Sequence, residues 1–241
     1  MTLRYELEQW RDAIKAYDEV DFDRALDCFK TIDDNAKVHF NIGLIYAALG
    51  EHEEACQSFK KSVKLDQYFA VGYFQKGVSN FLLGEFEKAL VDFNDALQFL
   101  RGNMLVTYEQ LGLNFCLYSC EILFNRGICY LNLDQTEQGM ADLSLAAKEK
   151  LTEGHDVIDE AIQIRGQGFS VFSVPVGVLF RPPEKKLYDV KILLENALMN
   201  LKLNPDFIGF DDAEQLKKAQ MAILDTHDPL LHPSLTNHPE E

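Results

Sequence analysis

Few side chains in this 241-residue sequence stand at spacings that could do chemistry. Cys116 and Cys120, four residues apart, would share one face of a helix, and thiols so placed can ligate a metal or cycle through a disulfide. No His or carboxylate completes a ligand set around them, so the pair reads as buried thiols. With Cys28, Cys56 and Cys129 the count is five, an odd number that argues against a disulfide framework. Asp33 and Asp34 are paired carboxylates, yet they lack the apolar pocket that would raise a pKa and read as solvated loop charges. The run Gly166-Gln167-Gly168 is too short for a dinucleotide fingerprint. There is no Gly-rich loop with a Lys, no HExxH, and no strand–turn–helix context for a nucleophile. His227, His232 and His238 lie in a Pro-containing end of weak pattern and suggest no metal site. The sequence therefore predicts no catalytic residue, no cofactor and no metal. It does not read as an enzyme.

What remains is recognition, and the elements that would position it repeat. Gly43, Tyr46, Gly50, Ala55 and Phe59 align with Gly77, Asn80, Gly84, Ala89 and Phe93, each at an offset of 34 residues. Each unit has an apolar-periodic helix, a Gly that opens a tight turn, and a second helix whose Ala allows close approach. An aromatic stands four residues beyond that Ala on the same face. Such a hairpin cannot bury its apolar face alone, and stacking completes the core as a solenoid. An earlier copy carries Ala13, Phe22, Ala25 and Phe29 but precedes the next by only 30 residues, so its second helix or linker is short. A fourth copy carries Gly127, Tyr130, Gly139, Leu143 and Ala146, with Asp134 in place of the turn Gly. It begins 50 residues after Gly77, which leaves 16 residues beyond one period, an insertion at about 101–118. The expected fold is all-α: four hairpins of a superhelix resembling the tetratricopeptide repeat over 3–170, with a capping helix at about 155–168.

Composition bounds the function. A hydrophobic fraction of 47% with 17 Phe and 9 Tyr supplies a large core, and 39 acidic against 23 basic side chains give a formal charge of −16. That balance argues against a nucleic-acid binder, which neutralises phosphates with clustered Lys and Arg, and suits a protein meeting a basic partner surface. No window has the roughly 18 uncharged apolar residues of a membrane span, and the N-terminus lacks a signal-peptide pattern, so a cytoplasmic location is expected. After the cap the period changes. VFSVPVGVLFRPP, around Pro175 and Gly177, cannot be a helix interior. Residues 171–183 form either an extended segment packed on the solenoid or an exposed apolar element that docks on a partner. From 184 to 241 the pattern weakens, with one helix possible across LYDVKILLENALMNLKL.

Four repeats, the insert LRGNMLVTYEQLG, the helix containing LYSCEILFNRG and the segment VFSVPVGVLFRP together resemble the N-terminal region of the NADPH oxidase activator family, nearest to its fungal members through LDQYFAVGYFQKGVSNFLLGEF and VIDEAI. The resemblance runs from about residue 3 to residue 183. It implies a regulatory adaptor that binds a GTP-loaded Rac-type small GTPase and activates a membrane NADPH oxidase for superoxide production, being recruited from the cytoplasm to the oxidase. The partners implied are that GTPase and the catalytic subunit of the oxidase. Flavin, haem and NADPH would belong to the oxidase.

In that family the GTPase docks on the edge made by inter-repeat loops and the insert. The matching positions are Ala36, Asp66, Tyr68, Arg101, Asn103, Leu105 and Thr107. Arg101 offers a rigid donor fork, Asn103 both gives and accepts a hydrogen bond, Leu105 supplies apolar contact, and Asp66 accepts from a donor. Ala36, Tyr68 and Thr107 depart from the Ser, His and Asp of the animal pattern. The plainer readings stay open: a surface ion pair for Arg101, and a turn former beside Gly102 for Asn103. The resemblance also makes Val174, Pro175, Val176, Gly177, Val178, Leu179 and Phe180 the activation segment, with Val176, Val178 and Leu179 as its contacts. The competing reading is a generic repeat scaffold or co-chaperone-like adaptor holding a peptide in the concave groove. That clamp needs cations on successive first helices, where Lys76 is the main one available.

Overall fold

A computed structural model describes residues 3–182 of the chain. Eight helices pair as four antiparallel hairpins: α1 (Leu3–Asp18) with α2 (Phe22–Lys30), α3 (Ala36–Ala48) with α4 (His52–Leu65), α5 (Ala70–Leu82) with α6 (Phe86–Leu100), and α7 (Ser119–Asn132) with α8 (Thr136–Lys148). A short α9 (Val157–Gln163) follows. The helix expected across LYDVKILLENALMNLKL and the three tail histidines lie outside the described residues.

The hairpin turns have one construction. Each needs a residue in the left-handed region, supplied by Val20, Gly50, Gly84 and Asp134 at φ of 64°, 80°, 77° and 59°. At each turn the next amide reaches back to the first helix: Asp21 N to Ala16 O, Glu51 N to Tyr46 O, Glu85 N to Asn80 O and Gln135 N to Tyr130 O, all at 2.9 Å. This is the six-to-one bond of a glycine-type helix stop. Asp134 fills the Gly position because Asp tolerates that region better than most side chains. Behind the turns the helices nearly touch. A Cβ on Gly43 would lie 2.6 Å from the Phe59 ring, and one on Gly77 2.7 Å from Phe93. Ala25, Ala55 and Ala89 are fully buried on the opposing helices. In the fourth hairpin Gly139 replaces this Ala, so that Gly127 and Gly139 bring two backbones together. The first hairpin is short because α2 has nine residues, closed by the Asp21 side chain accepting from Arg24 N.

The insert is not helical throughout. Its ends pair as a two-stranded antiparallel ribbon, β1 (Leu105–Thr107) with β2 (Cys116–Tyr118), with Val106 opposite Leu117. The expectation that Cys116 and Cys120 share a helical face is thereby corrected: Cys116 lies half-buried on β2 and Cys120 fully buried in the first turn of α7. A histidine does stand beside Cys120. His155 Nδ1 lies 3.3 Å from Cys120 Sγ and Nε2 3.7 Å from Glu121 Oε1. Burial pushes the Cys120 thiol up to about 12, so it stays protonated. Among the described residues no group of three or more His, Cys, Asp or Glu is arranged to hold a metal.

Candidate docking edge and the strapped groove

Two surfaces of a helical-hairpin solenoid can meet a partner: the inner face lined by first helices, and the edge where each second helix hands over to the next hairpin. The inner face is taken by the chain itself. Residues 171–181 run back from the fourth hairpin to the first, held by amide side chains on successive first helices. Asn125 on α7 donates to Phe172 O and accepts from Phe172 N at 2.8 and 2.7 Å. Gln75 on α5 accepts from Val174 N at 2.9 Å. Asn41 on α3 donates to Phe180 O and accepts from Phe180 N, both at 2.8 Å, and Trp10 Nε1 on α1 donates to the same carbonyl at 2.9 Å. A buried amide side chain that satisfies both polar groups of one residue does for the segment what a neighbouring strand would do.

Side chains complete the strap. Phe180 is fully buried among Phe40, Phe69 and Tyr108, with ring centroids 5.4, 5.5 and 6.4 Å away. Arg181 makes a two-pronged pair with Asp18 at 2.8 and 2.9 Å, which holds the Asp18 carboxyl below its usual range. Arg181 N also donates to Gly112 O of the insert, where a Cβ on Gly112 would overlap the Arg181 carbonyl. Val174 and Leu179 are buried as well, so Leu179 is a core residue and not the outward contact expected of it. Between the anchors the chain turns, with Val178 N donating to Pro175 O at 3.1 Å and Gly177 at φ 93°. The tip of that turn is Val176, 82% exposed.

Asn41, Gln75 and Asn125 were not singled out from sequence. Their signal is positional: each stands two residues before the close-packing Gly of its repeat, at Gly43, Gly77 and Gly127. Lys76, the groove cation that the sequence offers, is already paired with Asp92 at 2.6 Å.

On the edge, the predicted residues fall into two groups. Some do local structural work. Asp66 Oδ1 accepts from Tyr68 N at 3.0 Å, Thr107 Oγ1 from Glu109 N at 3.4 Å, and half-buried Ala36 opens α3 with its carbonyl accepting from Ser62 Oγ at 2.7 Å. Asn103 Nδ2 donates to Leu100 O at 2.7 Å beside Gly102 at φ 79°, the geometry of a turn former. Others face outward. Leu105 is 40% exposed on β1, next to Met104 at 45%. Arg101, left-handed at φ 54° where α6 ends, lays its guanidinium over the Tyr68 ring, 5.0 Å from the centroid. No carboxylate of the described residues pairs with it, so the ion-pair reading of Arg101 does not hold there.

The tetratricopeptide repeat family model matches residues 36–69. Neutrophil cytosol factor 2 of cattle is 35% identical over 190 residues, covering 78% of this chain and 36% of that protein, and the human protein is 34% identical over the same coverage. Rat NADPH oxidase activator 1 is 29% identical over 231 residues, 93% of this chain and 52% of that protein. The chain belongs to the NADPH oxidase activator family. It spans about a third of the length of the neutrophil factors it matches. The relatives named are animal proteins together with an activator from Dictyostelium discoideum, 26% identical, and they give no ground for a narrower fungal placement. Among solved structures, MamA is similar in fold, with a TM-score of 0.55 over 86% of this chain and 98% of that one at 17% identity. The repeats and these relatives together support a protein–protein interaction adaptor. No described helix is long and apolar enough to cross a membrane.

Proposed function

We propose that the edge formed by the inter-repeat loops and the insert binds a Rac-type small GTPase in its GTP form, and that the assembled pair activates a membrane NADPH oxidase for superoxide production. The observation that carries this reading is Arg101: its guanidinium is oriented by Tyr68 and has no acceptor among the described residues, and exposed Met104 and Leu105 follow it in the insert. A fixed donor fork beside an apolar patch is the usual make-up of a strong contact in a protein interface. The GTPase presents ordered switch regions only with the γ-phosphate in place, which makes recognition nucleotide-dependent. Asn103 keeps its carboxamide oxygen for a partner donor, and Asp66, Tyr68, Thr107 and Ala36 shape the rim.

The occupied inner face argues against the alternative of a peptide-holding co-chaperone, because the amides that would read a peptide backbone already read residues 172–180. Within the activation segment, the surface contact with the oxidase falls on Val176 at the turn tip, with Val174, Leu179 and Phe180 anchoring it. The cytoplasmic adaptor reaches the membrane through these partners. In a reconstituted oxidase membrane, adding the chain with GTP-loaded GTPase raises superoxide output above either alone, and Val176→Ala lowers that output while GTPase binding persists. Output indifferent to the chain would remove the activator reading. Output unchanged by Val176→Ala would remove the role of the tip.

A further inference from the structure

Behind Arg101 lies an aromatic row in which Tyr68 belongs to the predicted site while Phe99 and Tyr73 do not. Tyr73 on α5 stacks on Phe99 of α6, centroids 5.0 Å apart and planes at 28°. Phe99 meets Tyr68 edge to face at 5.8 Å and 83°, and Tyr68 carries the Arg101 guanidinium at 5.0 Å. Tyr73 Oη donates to Gln67 O at 3.3 Å, tying the row to the loop that bears Tyr68. The row therefore runs from the half-buried body of one hairpin to the exposed edge. Tyr68 itself is 46% exposed, with its ring set between Phe99 and Arg101.

An arginine side chain at an exposed helix end ordinarily samples many rotamers, and holding one at an interface costs conformational entropy at the moment of binding. A ring beneath the guanidinium lowers that cost beforehand. The five N–H groups lie in the guanidinium plane, so an acceptor meets them in that plane while the ring, 5.0 Å from Cζ, holds the group at the edge. We infer that Tyr68, Phe99 and Tyr73 are positioning residues that present Arg101 to a planar oxygen acceptor on the docking protein, a carboxylate or adjacent main-chain carbonyls met in the plane of the guanidinium. The inference rests on the edge-docking reading proposed above.

Full chain is titrated against Rac-type GTPase loaded with a non-hydrolysable GTP analogue, using wild type, Arg101→Ala, Tyr68→Leu, Tyr68→Phe, Phe99→Leu and the double variant Arg101→Ala/Tyr68→Leu. Arg101→Ala is expected to weaken binding at least tenfold. Tyr68→Leu should weaken it roughly two- to fivefold, the scale of an exposed cation–π contact, with Phe99→Leu in the same direction. Tyr68→Phe keeps the ring and should bind as wild type does. The double variant should bind no more weakly than Arg101→Ala alone, because a positioning residue has nothing left to position. Additive losses in the double variant would overturn the inference by making Tyr68 an independent contact. A loss with Arg101→Ala but none with Tyr68→Leu or Phe99→Leu would overturn it while leaving the docking edge standing. Wild-type chain that fails to bind the GTP-analogue form overturns the docking reading and the inference with it.

Discussion

Val20 is the residue most at odds with its backbone. It is β-branched, 70% exposed, and held at φ 64° where the second and third hairpins use Gly. Left-handed geometry crowds a branched Cβ against its own carbonyl, and little packing is lost by removing an exposed side chain. Val20→Gly is therefore expected to stabilise the chain by about 1 kcal/mol, read as a higher midpoint in urea. Glu121 is a second strained group. Its Oε2 is buried with no hydrogen-bond partner, and burial raises its pKa to about 7. The folded state then binds a proton more readily than the unfolded one, so this carboxyl lowers stability progressively as pH rises from its unfolded value through 7. His155 beside it is shifted downward, chiefly by burial, and works in the opposite sense, weakening the fold as pH falls. Glu121→Gln should add on the order of 1–3 kcal/mol at pH 8 and almost nothing at pH 4, measured by denaturation at both. Neither residue announced itself in the sequence, since a positive φ and an orphaned oxygen are properties of the packed chain.

At the scale of elements, the hairpins were legible because their punctuation is chemical: turn glycines, a buried small residue and an aromatic recur at a fixed offset. The 16 extra residues and the short first copy were legible for the same reason. The ribbon inside the insert was not. Three-residue strands have too little alternation to register, and β1 and β2 exist because they pair with each other. The strap was half legible. VFSVPVGVLFRP could be seen to be extended, but the choice between packing on the solenoid and standing free depended on Asn41, Gln75 and Asn125, which look like minor interruptions in apolar helices. Removing one of them tests the strap. Asn41→Ala leaves both backbone groups of Phe180 without that partner in a buried site, and the expected loss is about 2–4 kcal/mol. Hydrogen exchange should then accelerate at Val174 and Phe180 before it does in α5. Unchanged exchange at Phe180 would mean that the ring, not the amide, holds the segment.

For the whole molecule, the consequence of the strap is a division of labour between surfaces. The inner face gives this solenoid its rigidity, by tying the first helices of all four hairpins to one segment and that segment to the insert through Arg181 and Gly112. On the proposed reading, partner binding is left to the edge. Sequence resemblance pointed to that edge as a set of loops with seven residues, of which Asp66, Asn103 and Thr107 spend hydrogen bonds on their own turns. It missed Tyr73 and Phe99 because an aromatic at helical spacing is indistinguishable from core until its neighbours are known. The −16 charge sets no particular contact, but it favours a partner that brings basic side chains to the edge. The central claim is that the edge, through Arg101, reads the nucleotide state of a small GTPase. Calorimetric titration of the full chain with a Rac-type GTPase, loaded with a non-hydrolysable GTP analogue or with GDP and repeated for Arg101→Glu, tests it most directly. Binding to the GTP form alone is expected, with a loss of at least a hundredfold in the variant, since reversing the charge turns a fixed donor into a repelled acceptor at a cost of about 3 kcal/mol or more. Equal affinity for both nucleotide forms, or undiminished binding by Arg101→Glu, would contradict it.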